Sequence, residues 1–161
     1  MTAQVAEILN YRGEKLSLCG TPLSLYLTNN PLPRDSEMIC SACWRGYVGE
    51  WLIENDRLYL TALHEPFDDG QFPLSLIFKG DPARIFAHWV TDELRCPKGK
   101  LLEYVHAGFA SAHEQDLLLT IKRGELVSER IVQNGKSDDP GAPAGYGPGA
   151  CTVMPSSRSK Q

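Results

Sequence analysis

"YVGEWLIENDRLYLTALH", residues 47–64, decides the fold class. Apolar and polar residues alternate with period two on both sides of Asn55-Asp56. A two-residue loop of this chemistry joins antiparallel strands, because both of its residues tolerate positive φ. Folding about it sets Glu54 opposite Arg57, Ile53 opposite Leu58, Trp51 opposite Leu60, Gly49 opposite Ala62 and Tyr47 opposite His64. One face then carries Tyr47, Gly49, Trp51, Ile53, Leu58, Leu60, Ala62 and His64. A one-residue slip would lose both that face and the charge pair at the turn.

The same pattern recurs outward from this segment. "DLLLTIKRGELVSERIV" (116–132) turns at Arg123-Gly124, with Lys122 facing Glu125 and with Leu117, Leu119, Ile121 and Leu126 sharing a face with Ser128 and Arg130. "AEILNYRGEKLSL" (6–18) turns at Arg12-Gly13 and is followed, after Gly20-Thr21-Pro22, by the apolar run "LSLYLT" (23–28). One stretch breaks the alternation. In "GDPARIFAHWVTDEL" Asp81 suits an N-cap and Pro82 the first helical position, so the spacing of Ile85, Phe86, Trp89 and Val90 predicts a short helix over 82–90. "NNPLPRDSEM" (29–38) has two prolines and no period, and reads as a loop leading into Cys40.

After Asn134 the composition changes. Residues 135–161 hold five Gly, four Pro and four Ser with almost no apolar periodicity. Such a segment cannot bury enough surface to offset its ordering entropy and reads as a flexible tail. Residues 1–134 then form one α+β domain, mainly antiparallel sheet built from hairpins with one short helix. At 161 residues, 42% hydrophobic and 22% charged, the chain has the balance of a globular domain. A net charge of -4 and a pI near 5.5 argue against nucleic acid as a partner. The N-terminus carries no signal-peptide pattern and no apolar run approaches the roughly 20 residues of a membrane span, so a cytoplasmic location without membrane contact is expected. The odd number of cysteines, five, fits thiols better than a disulfide framework.

Cys40 and Cys43 have the spacing of a zinc knuckle, which needs two further ligands. Cys19, Cys96, His64, His88, His106 and His113 supply no second ligand-like pair, so no metal is expected. A redox C-x2-C wants a helix start after its first cysteine, and a strand follows here. There is no phosphate-cradling glycine loop, so no cofactor is expected. Ser111 and His113 lack the glycines of a nucleophile elbow. What concentrates instead is large amphipathic side chains: Trp44, Arg45 and Tyr47; His88 and Trp89; Lys98, Lys100, Tyr104 and His106. Aromatic rings interleaved with cations can line a cleft that stacks and orients a ligand. The reading is a binding or interaction module for a protein partner or a small anionic ligand. The alternative is a hydrolase-like enzyme drawing an acid or base from His88, His106, His113 and Glu114, with Arg45 and Lys98 holding an anionic substrate. Ordinary packing explains the same residues when they fall in the core.

The segments "WRGYVGEW", "NDRLYL", "FAHWVTDELRCPKGKLLEYVHAG" and "EQDLLLTIKRGELV" resemble those of a family of small bacterial proteins of uncharacterised activity. The resemblance covers roughly residues 5–134. It implies that Trp44, Arg45 and Gly46, and the run from Gly99 to Leu102, are family features, and that the C-x2-C is not. It implies no activity.

Overall fold

The structure, a computed structural model, describes residues 4–32, 43–67, 69–80 and 82–144. In chain order the elements are β1 (Glu7–Tyr11), β2 (Glu14–Leu18), α1 (Ser24–Asn29), β3 (Val48–Glu54), β4 (Arg57–His64), β5 (Gln71–Phe72), β6 (Ile85–Phe86), β7 (Asp92–Glu103), β8 (Ala112–Lys122) and β9 (Glu125–Gln133), with a 3₁₀ turn at Leu74–Leu76. Strands dominate, and no helix among the described residues is long and apolar enough to cross a membrane.

All three anticipated hairpins form about two-residue loops. Arg12 and Gly13 (φ 53° and 75°), Asn55 and Asp56 (52° and 59°), and Arg123 and Gly124 (49° and 84°) take the paired positive φ of type I′ turns, whose twist matches that of the flanking strands. The strands run β2-β1-β3-β4-β9-β8-β7, with β5 and β6 added on β4. The sheet is mixed rather than purely antiparallel, because β1 pairs parallel to β3, Ile8 opposite Glu50 through Tyr11 opposite Ile53. Parallel neighbours need a long connection, and β1 ends at Tyr11 while β3 begins at Val48, with β2 between them in sequence. β4 pairs with β9 at Arg57 opposite Glu125, flanked by the Leu58 N–H donating to the Gly124 carbonyl and the Leu126 N–H to the Asp56 carbonyl (2.8 Å each). The ends of the path meet: the Cys19 N–H, just past β2, donates to the Arg95 carbonyl of β7 (2.9 Å), and Lys98 reaches Glu14 (3.4 Å). The sheet therefore wraps around its inner face, where Leu9, Leu18, Trp51, Leu58, Leu60, Leu63, Leu119 and Ile121 are fully buried.

Two hairpin registers depart from simple alternation. In β3–β4, Trp51 faces Leu60 as expected, but Glu50 then faces Ala62, Gly49 faces Leu63 and Val48 faces His64. Thr61 is the extra residue of a β-bulge, and its Oγ1 donates to the Glu50 carbonyl (3.0 Å). Leu63 turns into the core in place of Ala62, and His64 moves off Tyr47's face. In β8–β9 a second irregularity sets Leu119 opposite Glu129 and Leu117 opposite Ile131, in place of Ser128 and Arg130.

The helix expected over 82–90 does not form. Ile85 and Phe86 make β6, paired with Leu60 and Tyr59, and the Ala87 N–H donates to the Leu58 carbonyl (2.9 Å). A nine-residue helix is marginal alone, whereas the edge of β4 offers ready hydrogen-bond partners to a β-prone Ile-Phe. Asp81, its expected cap, lies outside the described residues. The α-helix among the described residues comes from the apolar run at 23–28: Leu23, Tyr26 and Leu27 share a face at spacings of three and four and pack on the core. Residues 135–144 run back along β7, where the Leu101 N–H donates to the Pro143 carbonyl (2.8 Å) and Ala144 bridges Lys100. The rest of the expected tail, 145–161, lies outside the described residues, as does Cys40.

Candidate functional site

Arg45 points into the protein. Cys43 to Gly46 form a tight turn closed by the Gly46 N–H donating to the Cys43 carbonyl (3.1 Å), with Gly46 at φ 73°. The turn leaves Trp44 49% exposed at its corner. It sends the Arg45 side chain, 9% exposed, beneath β1. Arg45 Nε donates to Glu7 Oε2 (3.3 Å) and Nη2 to the Val5 carbonyl (2.8 Å), while the guanidinium lies 5.6 Å from the centre of the Tyr47 ring. Glu7 is an inward position of β1, in step with Leu9 and Tyr11, and its carboxylate is fully buried. It also accepts from the Gly49 N–H (2.8 Å) and from Trp51 Nε1 (3.2 Å). Gly49 is needed here, because a Cβ would stand 2.7 Å from Trp51 Nε1 and 2.9 Å from Glu7 Oε2. Burial raises the Glu7 carboxyl above its ordinary range, opposed by Arg45 and by the Gly49 and Trp51 hydrogen bonds. The Tyr47 phenol is likewise pushed up, by burial and then by the Glu7 charge. This constellation locks β1 to β3 and offers no free guanidinium to a ligand.

The other predicted residues make contacts of their own. Trp89 packs on Tyr26 (4.8 Å between centroids) and donates through Nε1 to the Pro22 carbonyl (2.8 Å), with His88 edge-on to it at 5.4 Å. The Lys100 N–H donates to Glu114 Oε1 (2.7 Å). Tyr104 and His106 meet each other, hydroxyl to Nδ1 at 2.9 Å. His113 is fully buried. Lys98 lines a groove of about 390 Å³ with Tyr11, Arg12, Glu14, Glu129 and Arg130. There Arg12 pairs with Glu129 (2.9 Å) and Lys98 with Glu14. His88 lies against Trp89, His106 against Tyr104 and Glu114 against the Lys100 N–H, so each has its own partner. Cys43 is buried with its thiol toward the Tyr47 carbonyl (3.3 Å), and no group of metal ligands occurs among the described residues.

A different constellation lies on the outer side of β1, β3 and β4. Val5, Cys43 and Val48 form a small apolar cluster there with Ile8. Over it opens a groove of about 480 Å³ lined by Val5, Ala6, Ile8, Lys15, Val48, Glu50, His64, Glu65, Phe67, Asp69 and Gln71. At its centre His64 Nε2 meets Glu50 Oε2 at 2.6 Å, and Asn10 Nδ2 donates to Glu50 Oε1 (3.0 Å) and to the Trp51 carbonyl (3.2 Å). The Thr61 bulge creates this pair. Unbulged pairing would keep His64 on the core face, whereas the extra residue carries it to Glu50's face. Burial alone would raise the Glu50 carboxyl, but the His64 and Asn10 hydrogen bonds, with the His64 and Lys15 charges, hold it below its ordinary value. At the groove's rim the β4–β5 loop closes through the Glu65 N–H donating to the Gly70 carbonyl (2.8 Å) and lifts Phe67, 59% exposed and at φ 62°, to its tip. Positive φ is costly for a phenylalanine and is held there by the closed loop.

Sequence reading missed Glu50, Asn10 and Phe67, placed His64 on the hairpin face opposite Tyr47, and weighed its chemistry only as a metal ligand. The charged Glu7 in an otherwise apolar inward row was a readable sign of a buried partner. The Glu50–His64 pair had no such sign without the bulge. No family model, no curated protein and no solved structure matches this chain.

Proposed function

We propose that the chain is a small binding module whose ligand sits in the groove between β1, β3, β4 and the 65–70 loop. The observation that carries this reading is the Glu50–His64 pair, oriented by Asn10 and set in a partly apolar concavity. Ligand sites combine an apolar wall with a few directed polar groups in this way. Val5, Ala6, Ile8 and Val48 supply the wall, and Glu50, His64 and Lys15 the polar contacts. The buried Glu7–Arg45 pair behind it fixes the β1–β3 geometry that shapes the floor. The groove thereby takes the place of the Trp44 and Arg45 surface in the binding reading. A thermal-shift screen of small fragments against the wild type and His64→Gln tests it. Stabilising fragments should lose their effect in the variant, and hits indifferent to His64→Gln would sink the reading.

A second reading is favoured by the same 2.6 Å contact. A histidine oriented by a carboxylate is also the arrangement of a general base, with Nδ1, the ring nitrogen that Glu50 does not engage, as the proton acceptor. It predicts a slow hydrolysis of activated esters that disappears in His64→Ala. Equal rates for variant and wild type would remove it.

A further inference from the structure

Resting on the groove-binding reading above, we infer that the groove selects a cationic ligand, an ammonium or amidinium group carried on an apolar body, rather than an anion. Three carboxylates line it, Glu50, Glu65 and Asp69, against one lysine, Lys15. Whatever the charge of His64, the lining stays net negative. The protein as a whole is acidic, with a net charge of -4, so no surrounding field reverses this. The carboxylates are not spread evenly. Glu50 lies at the floor beside Val48, and Glu65 and Asp69 stand on the loop that carries Phe67.

The loop's build supports the same assignment. A Cβ on Gly70 would stand 2.9 Å from Glu65 Cδ, so glycine at that position lets the Glu65 carboxylate fold in against the turn. Phe67 extends from the same turn, 59% exposed, as an aromatic surface at the groove's mouth. A cation entering there meets the two kinds of group that attract it, carboxylate oxygens and the face of an aromatic ring. Its apolar body lies along Val5, Ala6, Ile8 and Val48, which have no polar side-chain atoms to satisfy. An anion would meet one lysine and three repelling carboxylates.

The test is an amide-resolved NMR titration of the full chain at pH 7 and low salt with three probes of one shape: benzylamine, benzyl alcohol and benzoate. Benzylamine should shift the amides of Ala6, Val48, His64 and Gln71 and bind roughly tenfold tighter than the other two, a factor worth ~1.4 kcal/mol. The preference should shrink in 0.5 M salt, since exposed charges are screened. Glu65→Gln, a partly exposed change that leaves the sheet intact, and the double variant Glu65→Gln/Asp69→Asn should each weaken benzylamine while leaving benzyl alcohol unchanged. Benzyl alcohol or benzoate binding the groove as tightly as benzylamine would overturn the cation assignment and leave the groove reading standing. No shift of those amides with any probe would overturn both.

Discussion

Replacing Arg45 by Ala tests what the opening strands are built around. The substitution removes the cation from a carboxylate that is fully buried, leaving Glu7 with two neutral donors, the Gly49 N–H and Trp51 Nε1. It also strips the Val5 carbonyl of its 2.8 Å donor. Breaking a buried pair from one side costs about 3–5 kcal/mol, because the remaining charge stays buried and uncompensated. Against a total stability of about 5–15 kcal/mol that is a large fraction. With a urea dependence of about 1–3 kcal/mol per molar, the unfolding midpoint should fall by at least about 1 M. The loss has a pH signature. The Glu7 carboxyl is already raised by burial, and losing Arg45 raises it further. A raised folded-state value means stability that is fully present below the ordinary carboxyl value of 4.5 and is lost as pH rises through the folded one. The variant should therefore recover toward wild type as pH falls from 7.5 to 5. Urea unfolding followed by tryptophan fluorescence at both pH values measures this. A loss below about 1 kcal/mol, or one equal at both pH values, would refute the buried-pair account.

Gly49→Ala should destabilise by about 1–3 kcal/mol, read from the shift of the urea midpoint, since its Cβ falls within contact of Glu7 and Trp51 and must displace them. Glu50 should titrate below the ordinary carboxyl value of 4.5 in carboxyl-detected NMR and move back up in His64→Ala. Because its folded-state value is depressed, its small, half-screened contribution is present above 4.5 and lost on acidification, and Glu50→Gln should flatten stability against pH in that acid range. Cys96, buried and with its thiol pushed up to about 12, should stay unalkylated by iodoacetamide at pH 8 in the native protein and react in urea, as read by mass spectrometry.

The hairpins were legible because their turns are local chemistry: Arg12-Gly13, Asn55-Asp56 and Arg123-Gly124 specify both the loop and the first pairs beside it. What escaped depends on contacts distant in sequence. The parallel β1–β3 pairing joins residues about forty apart, and only it brings Glu7 to Arg45 and Asn10 to Glu50. Short apolar runs were ambiguous in both directions: residues 23–28 became helix where a leucine face could cover the core, and 85–86 became strand where β4 had an open edge. The candidate site hinges on one bulged residue. Thr61 moves His64 across the sheet, and period-two reading cannot place a bulge, since it shifts every later residue without changing the alternation. Arg45, grouped from sequence with the ligand-binding residues, has chemistry that is inward and structural.

In the proposed function, ligand chemistry belongs to the Glu50–His64 groove and not to the aromatic and basic residues of the 44–47 and 98–106 segments. The most direct measurement is a map of backbone amide shifts on adding a mixed fragment library to isotope-labelled protein. Perturbations gathered at Ile8, Lys15, Val48, His64 and Gln71 are the predicted result. Perturbations gathered instead at Trp44, Lys100, Tyr104 and His106, with the groove amides unmoved, would contradict it.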